Sequence, residues 1–344
     1  MNRVFSWAWV PTLTVFVLTE AAGVQAQPTK DNDGAPKSVT TASVVGAVAD
    51  EGNKSLAEAE KILERYLESP HPSAPPESDR ARQARLAILA ELTAMPEEAL
   101  SVAEKALFGQ ADPKQRHEIV GALGGHIHTR DCADLLYRVI QDVREPEDRE
   151  AAHYEELVRC SAVHGLRKMA SRTHRSGGKR IQRTPDSEPK VQGLVPYLVF
   201  AANDKAERVR VSALYALADT RDPAAVAELR NRLKDESEKV RLYAACFLTE
   251  YQDASGLPEM RNALRRFKGR GPDSPEEEFS YYAKLESLFA SFERITGRSF
   301  GEIPDDPGLC SSLEMMAEQK RQFVYLLDAW SQWWDWQPDS SGNE

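Results

Sequence analysis

The sequence predicts an all-α solenoid, and three observations predict it. A block of the chain returns at a spacing of 31 residues: Asp204 as Asp235, Val209-Arg210 as Val240-Arg241, Ala213 as Ala244, Leu217 as Leu248, Asp222 as Asp253 and Glu228 as Glu259. A fixed period of this size marks stacked units, each burying its apolar face against its neighbours. Apolar residues recur at helical spacing with almost no two-residue alternation, so strands are not expected. Proline or aspartate punctuates most of the turns between the apolar runs, where each starts the next helix.

The elements follow in chain order. Arg3, the apolar run Val4 to Leu18 and the small-x-small triplet Val24-Gln25-Ala26 read as a signal peptide over residues 1–26, cut before Gln27. That run is about 15 residues, short of the ~20 a bilayer span needs. Residues 27–52, rich in Pro, Asp, Gly, Ser and Thr, read as a disordered tether. Ser55 with Glu58 forms a capping box opening a helix whose apolar face holds Leu56, Ala59, Leu63, Tyr66 and Leu67. Helix pairs are expected at 80–93 with 97–108, 113–123 with 131–142, 151–170 with 191–202, 205–219 with 223–233, and 236–250 with 254–267. The solenoid thus spans 53–267, interrupted by a basic insertion at 171–190. Residues 268–344 close the array with two amphipathic helices and a disordered tail; large aromatics such as Phe289, Phe292, Trp330 and Trp334 suit a cover for an open solenoid end. Trp333 and Trp336 are the aromatics expected to stay exposed there.

The 344-residue chain has a formal net charge of −10, and the signal peptide carries one Arg and one Glu, so the mature chain is equally acidic. That charge argues against general nucleic-acid binding. No second segment is apolar and long enough to span a membrane, so the location expected is periplasmic or secreted. Four cysteines, Cys132, Cys160, Cys246 and Cys310, are too few and too dispersed for a disulfide scaffold, although a Cys132–Cys160 bridge stays open.

The repeated residues Val-Arg-x-x-Ala-x-x-Ala-Leu carry a resemblance. They stand as Val209, Arg210, Ala213, Ala216 and Leu217, as Val240, Arg241, Ala244 and Leu248 with Phe247 at the last alanine, and more weakly as Val158, Arg159, Ala162, Gly165 and Leu166. They resemble HEAT-like repeats of the short kind also found in the phycobilisome-lyase HEAT-like group. The resemblance covers about residues 80–267 and implies a right-handed α-solenoid of HEAT-like helix pairs with a C-terminal helical cap. It also implies a ladder in which Asp204 with Arg210, and Asp235 with Arg241, align between repeats and fix their stacking.

Three constellations compete for function. The resemblance puts the second helix of each unit on the concave surface, where Glu228, Arg230, Asn231, Glu259, Arg261 and Asn262 would grip a protein or peptide partner, or form solvated faces with internal charge pairs. The insertion carries Arg172, Arg175, Lys179, Arg180 and Arg183 without an acidic residue from Arg167 to Pro185. It would contact an anionic surface, or fold back on the acidic body. His126, His128 and Cys132 are of metal-binding type, with no His-x-x-x-His or Cys-x-x-Cys spacing to support them. The HEAT-like deoxyhypusine hydroxylases bind iron through several His-Glu dipeptides, and only His117-Glu118 occurs here, so that match fails. No Walker loop, dinucleotide fingerprint or Gly-x-Ser-x-Gly is present, and no cofactor is expected. The reading is an exported non-catalytic scaffold. The alternatives are a metal-dependent protein or enzyme using His126, His128 and Cys132, and an adaptor docking anionic surfaces through the insertion.

Overall fold

The structure, a computed structural model, describes residues 41–69, 77–109, 111–171, 189–269, 275–304 and 313–336. The expected signal peptide, tether residues 27–40, insertion residues 172–188 and the tail after Trp336 lie outside the described residues. So do Arg172, Arg175, Lys179, Arg180, Arg183 and Cys310. Among the described residues every regular element is a helix. They are α1 Thr41–Glu68, α2 Glu77–Thr93, α3 Pro96–Phe108, α4 Pro113–His126, α5 Arg130–Gln141, α6 Arg149–Ala170, α7 Val195–Ala201, α8 Glu207–Thr220, α9 Ala225–Arg232, α10 Glu238–Leu248, α11 Leu257–Gly269, α12 Pro275–Thr296 and α13 Leu313–Trp336. The five expected helix pairs are α2–α3 through α10–α11.

One boundary differs from the sequence reading. α1 starts at Thr41, so residues 41–52 are helical rather than tether, and Ser55 lies inside the helix instead of capping it. No proline stands between Pro36 and Pro70 to stop the helix earlier. The Ser55 hydroxyl instead donates to Glu98 on α3 at 3.1 Å.

The repeating aspartates start helices. Asp204, Asp222, Asp235 and Asp253 each accept, through a side-chain oxygen, the backbone N–H two residues on, at 2.8–2.9 Å. Such turns satisfy donors that a helix N-terminus leaves open. Asp112 caps α4 itself, accepting the Gln115 backbone N–H three residues on in a full capping box. The small residues at the repeat positions permit close layers: Ala213, Ala216 and Ala244 are fully buried beside Leu217 and Leu248. The tightest crossing is between α4 and α6. A Cβ on Gly124 would lie 2.6 Å from the Gly165 Cα, and one on Gly165 would lie 2.7 Å from the Gly124 Cα. These two backbones touch, and only glycine fits on either side.

The apolar interior falls into two main cores. The larger runs from Ala59 on α1 to Leu248 on α10, and the second joins α10, α11, α12 and α13 around Phe289, Phe292, Phe323 and Trp330. α10 serves both: Val240, Tyr243, Ala244 and Leu248 face the first, and Leu242, Ala245 and Cys246 the second.

The joints between repeats are arginines. Arg159 on α6 binds the Asp204 carboxylate through Nε and Nη2 at 2.8 and 3.2 Å. Arg210 on α8 binds the Asp235 carboxylate at 2.9 Å, and its other terminal nitrogen donates to the carbonyls of Asp204 and Lys205 at 3.0 Å each. Arg116 on α4 binds Asp142 at 2.7 Å and also pairs with Glu155 on α6. Arg241 holds the carbonyls of Asp235 and Glu236 at 2.8 and 3.0 Å. The ladder therefore runs one step off the expected register. Asp204 meets Arg210 through its carbonyl, and its carboxylate belongs to the arginine one repeat earlier. Arg116, Arg159 and Arg210 are buried, as are the side chains of Asp204, Asp235 and Glu155. Arg85 on α2 opens the series by binding Glu118 and the Ser69 carbonyl, each at 3.0 Å. Arg85 and Arg116 are 31 residues apart, as are Arg210 and Arg241.

Removing one partner of a buried pair strands the other charge, which costs about 3–5 kcal/mol, whereas an exposed pair contributes about 0–1 kcal/mol. Arg210→Ala is expected to lower stability in urea unfolding by the first amount. Arg65→Ala, at the exposed 2.9 Å pair with Glu91, is expected to lower it by the second. Equal losses at the two sites would remove the ladder from its role as the joint.

Candidate functional site

α4 presents an unusual outer face. Lys114, His117, Glu118, Gly121, Ala122 and His126 follow one another at helical spacing, and this face is the floor of an open groove of about 670 Å³. At Gly121 the floor is bare backbone, and an added Cβ would meet nothing within 4 Å. One wall is α2 with Arg82, Arg85, Leu86 and Leu89, joined by Tyr66 from α1; the other is α6 with Tyr154 and Leu157. Leu86 is 48% exposed, so apolar surface stays open to solvent along this wall. The Arg85 guanidinium lies 4.2 Å from the centre of the Tyr66 ring. His117 and Tyr154 face each other across the groove with ring centres 6.3 Å apart. Among the described residues Glu118 is the one acid lining it, and Arg85 binds its carboxylate. The result is a trough with apolar and aromatic walls and a polar floor, in which Arg82 and Lys114 are cationic.

The expected partner row on the second helices is engaged within the chain. Glu228 is buried and pairs with Arg232 at 2.8 Å, while accepting from Asn203 and Asn231. Arg230 binds Asp253 at 2.7 Å, and Glu259 binds Arg266 at 3.1 Å. Arg261 lies over the Trp334 ring at 5.1 Å, and Asn262 accepts from Arg265 at 3.4 Å. The recurring residues are held by different partners in the two units: Arg230 by Asp253 but Arg261 by Trp334, and Glu228 by Arg232 but Glu259 by Arg266.

The metal-type residues divide. Cys132 is buried in the core, its thiol pushed up to about 12 by desolvation, and its backbone N–H donates to the Thr129 hydroxyl. A thiol held protonated is a poor metal ligand. Among the described residues no three His, Cys, Asp or Glu side chains gather as a metal set. Cys132, Cys160 and Cys246 are free thiols, so the Cys132–Cys160 bridge is not formed.

One aromatic cluster escaped the sequence reading, and one cap residue departs from it. On the second helices Tyr137 stacks on Tyr197 at 4.2 Å and meets Phe200 edge-on at 5.5 Å; Phe200 is 43% exposed. In the cap, Trp333 is half-buried against Trp334 at 4.5 Å and beneath Arg298 at 5.4 Å, against the expectation that it is exposed. Trp336 is exposed as expected.

Comparison with known proteins agrees with this architecture. Residues 185–269 match the family model of HEAT repeats. No curated protein matches the chain. Among solved structures, human deoxyhypusine hydroxylase in complex with glycerol is 16% identical, with 81% of this chain and 99% of that chain covered. Its TM-score is 0.22.

Burial, then Lys190, Lys168 and His126, pull the His128 ring down from 6.5 to about 4. An unfolded His128 takes up its proton near 6.5, so between those values the unfolded state binds more protons. The contribution of His128 to stability is complete above about pH 6.5 and is lost as pH falls towards about 4. Thermal melts of the parent and His128→Gln are expected to differ most above pH 6.5 and to converge by pH 4. A constant difference would show the ring titrating normally.

Proposed function

We propose that this chain, a HEAT-like repeat protein, is an exported, non-catalytic scaffold that takes an extended segment of a protein partner in the groove over α4. The groove itself is the observation that carries this reading. It is the open trough of an array whose ladder and second-helix charges are already paired with one another. Its walls, with Tyr66, Leu86, Leu89, Tyr154 and Leu157, suit large apolar side chains of a partner, and Arg82 on the wall and Lys114 on the floor suit acidic ones. The groove lies on the first helices of the pairs, so the face proposed differs from the second-helix row read from sequence. No helix among the described residues is long and apolar enough to cross a membrane, and export rests on the sequence of residues 1–26.

Gly121→Trp tests the groove, because a Cβ there meets nothing within 4 Å and the larger side chain would occupy the floor. Captured by cross-linking from the native envelope fraction, the partner is expected with the parent protein and with Arg230→Glu/Arg261→Glu. It is expected to be lost with Gly121→Trp at unchanged melting temperature. Retention by Gly121→Trp together with loss in the double charge reversal would move the site to the second helices.

Export has its own readout. N-terminal sequencing of the protein from that fraction is expected to begin at Gln27, and a start at Met1 would refute cleavage.

A further inference from the structure

At the C-terminal end of α4 three parts of the chain bring two lysines and two histidines to one place. His126 and His128 come from the end of α4 and the turn after it, Lys168 from the end of α6, and Lys190 from the segment entering α7. Lys190 Nζ lies 3.1 Å from His128 Nδ1. Lys168 Nζ lies 3.8 Å from the point where a Gly125 Cβ would be, so the missing side chain leaves space beside the ammonium.

Among the described residues no carboxylate balances this group. Neither Lys168 nor Lys190 forms an ion pair among the described residues. By contrast Lys105, Lys205, Lys239 and Lys268 each pair with a carboxylate. The arginines nearby are also committed, Arg167 to Asp219 at 2.5 Å and Arg130 to the Gln192 carbonyl. Lys168, although exposed, is held below the ordinary lysine range by desolvation and then by Lys190.

The His128 ring adds a constraint of chemistry. An ammonium donates, so Nδ1 must offer its lone pair to Lys190 and the ring proton sits on Nε2. The Gly124 carbonyl lies near the ring, but Nε2 is buried without a hydrogen bond of proper geometry. Two mutually repelling ammonium groups, set beside two imidazoles with no acid among the described residues, form an arrangement that a bound anion would stabilise.

We infer that this cluster is a binding site for a doubly charged oxyanion, a phosphate or phosphate monoester, held between Lys168 and Lys190 with His126 at its edge. Two ammonium groups match two negative charges, and a monoanionic carboxylate would leave one of them uncompensated. The site stands on these four side chains and does not depend on the partner proposed for the groove.

The test is calorimetric titration of the purified full chain with inorganic phosphate, phenyl phosphate, acetate and chloride at matched ionic strength. Saturable binding of phosphate or phenyl phosphate is expected, absent with acetate and chloride and weakened about tenfold or more in Lys168→Gln and Lys190→Gln. Lys234→Gln, exposed in the turn after α9, is expected to bind as the parent does. Tighter binding of phenyl phosphate than of phosphate would assign an ester as the ligand, and the reverse order would assign the free ion. Should the lysine variants fail to fold, the ring proton signals of His126 and His128 in the parent are read instead. Saturable movement of both, with His153 unmoved, supports the site. No saturable binding by the parent, equal binding by the lysine variants, or equal movement of His153 would overturn it.

Discussion

The arginine joint is the interaction on which the array depends. One guanidinium reaches the loop before its own helix and the aspartate that starts the next repeat, as Arg210 does with the Asp204 and Lys205 carbonyls and the Asp235 carboxylate. Apolar packing between helices is tolerant of angle and offset, because side chains slide over one another at small cost. A planar donor set held by fixed acceptors is not tolerant, and so sets how one layer sits on the next. The same aspartate also caps a helix start, which ties the beginning of each helix to the position of the layer before it. Buried pairs of this kind add little net stability relative to an apolar substitute. Their contribution is register.

The repeat was legible in the sequence because both kinds of position recur together. Val209, Ala213, Ala216 and Leu217 report burial, and Asp204, Arg210, Asp222 and Glu228 report the polar joints. The upstream joints were harder to see. Arg116 and Arg159 are 43 residues apart, and Arg159 and Arg210 are 51 apart, so extra chain within the repeat hides the period. The additional residues precede Arg159 in one case and form the basic insertion in the other, and the joint is made all the same. Register between arginine and carboxylate was misread for a simple reason. Sequence spacing suggests that a residue pairs with the copy nearest in its own repeat, and only the stacking shows that the carboxylate belongs to the arginine one layer back.

The groove was not legible, since what makes it is absence. Gly121 gives no signal in a helical pattern beyond a propensity penalty, and the lining residues come from four helices. The second-helix row had the opposite fate: its recurrence was plain, yet charged residues that repeat are as readily partners of each other as of a ligand, and Glu228 with Arg232 shows that outcome. The lysine cluster lay between these cases. Lys168 and Lys190 flank the basic insertion, and only the fold brings them beside His126 and His128.

α10 has a further consequence. Its two faces belong to different cores, with Val240 and Ala244 on one side and Leu242, Ala245 and Cys246 on the other. Array and cap therefore share a helix and have no free surface between them. Loss of the cap would bare one face of α10 together with Met260 and Leu264 on α11, and melting of the array would take away the wall on which the cap rests. The two parts are thermodynamically coupled, and the boundary that the sequence draws near residue 268 is a change of architecture within one cooperative unit.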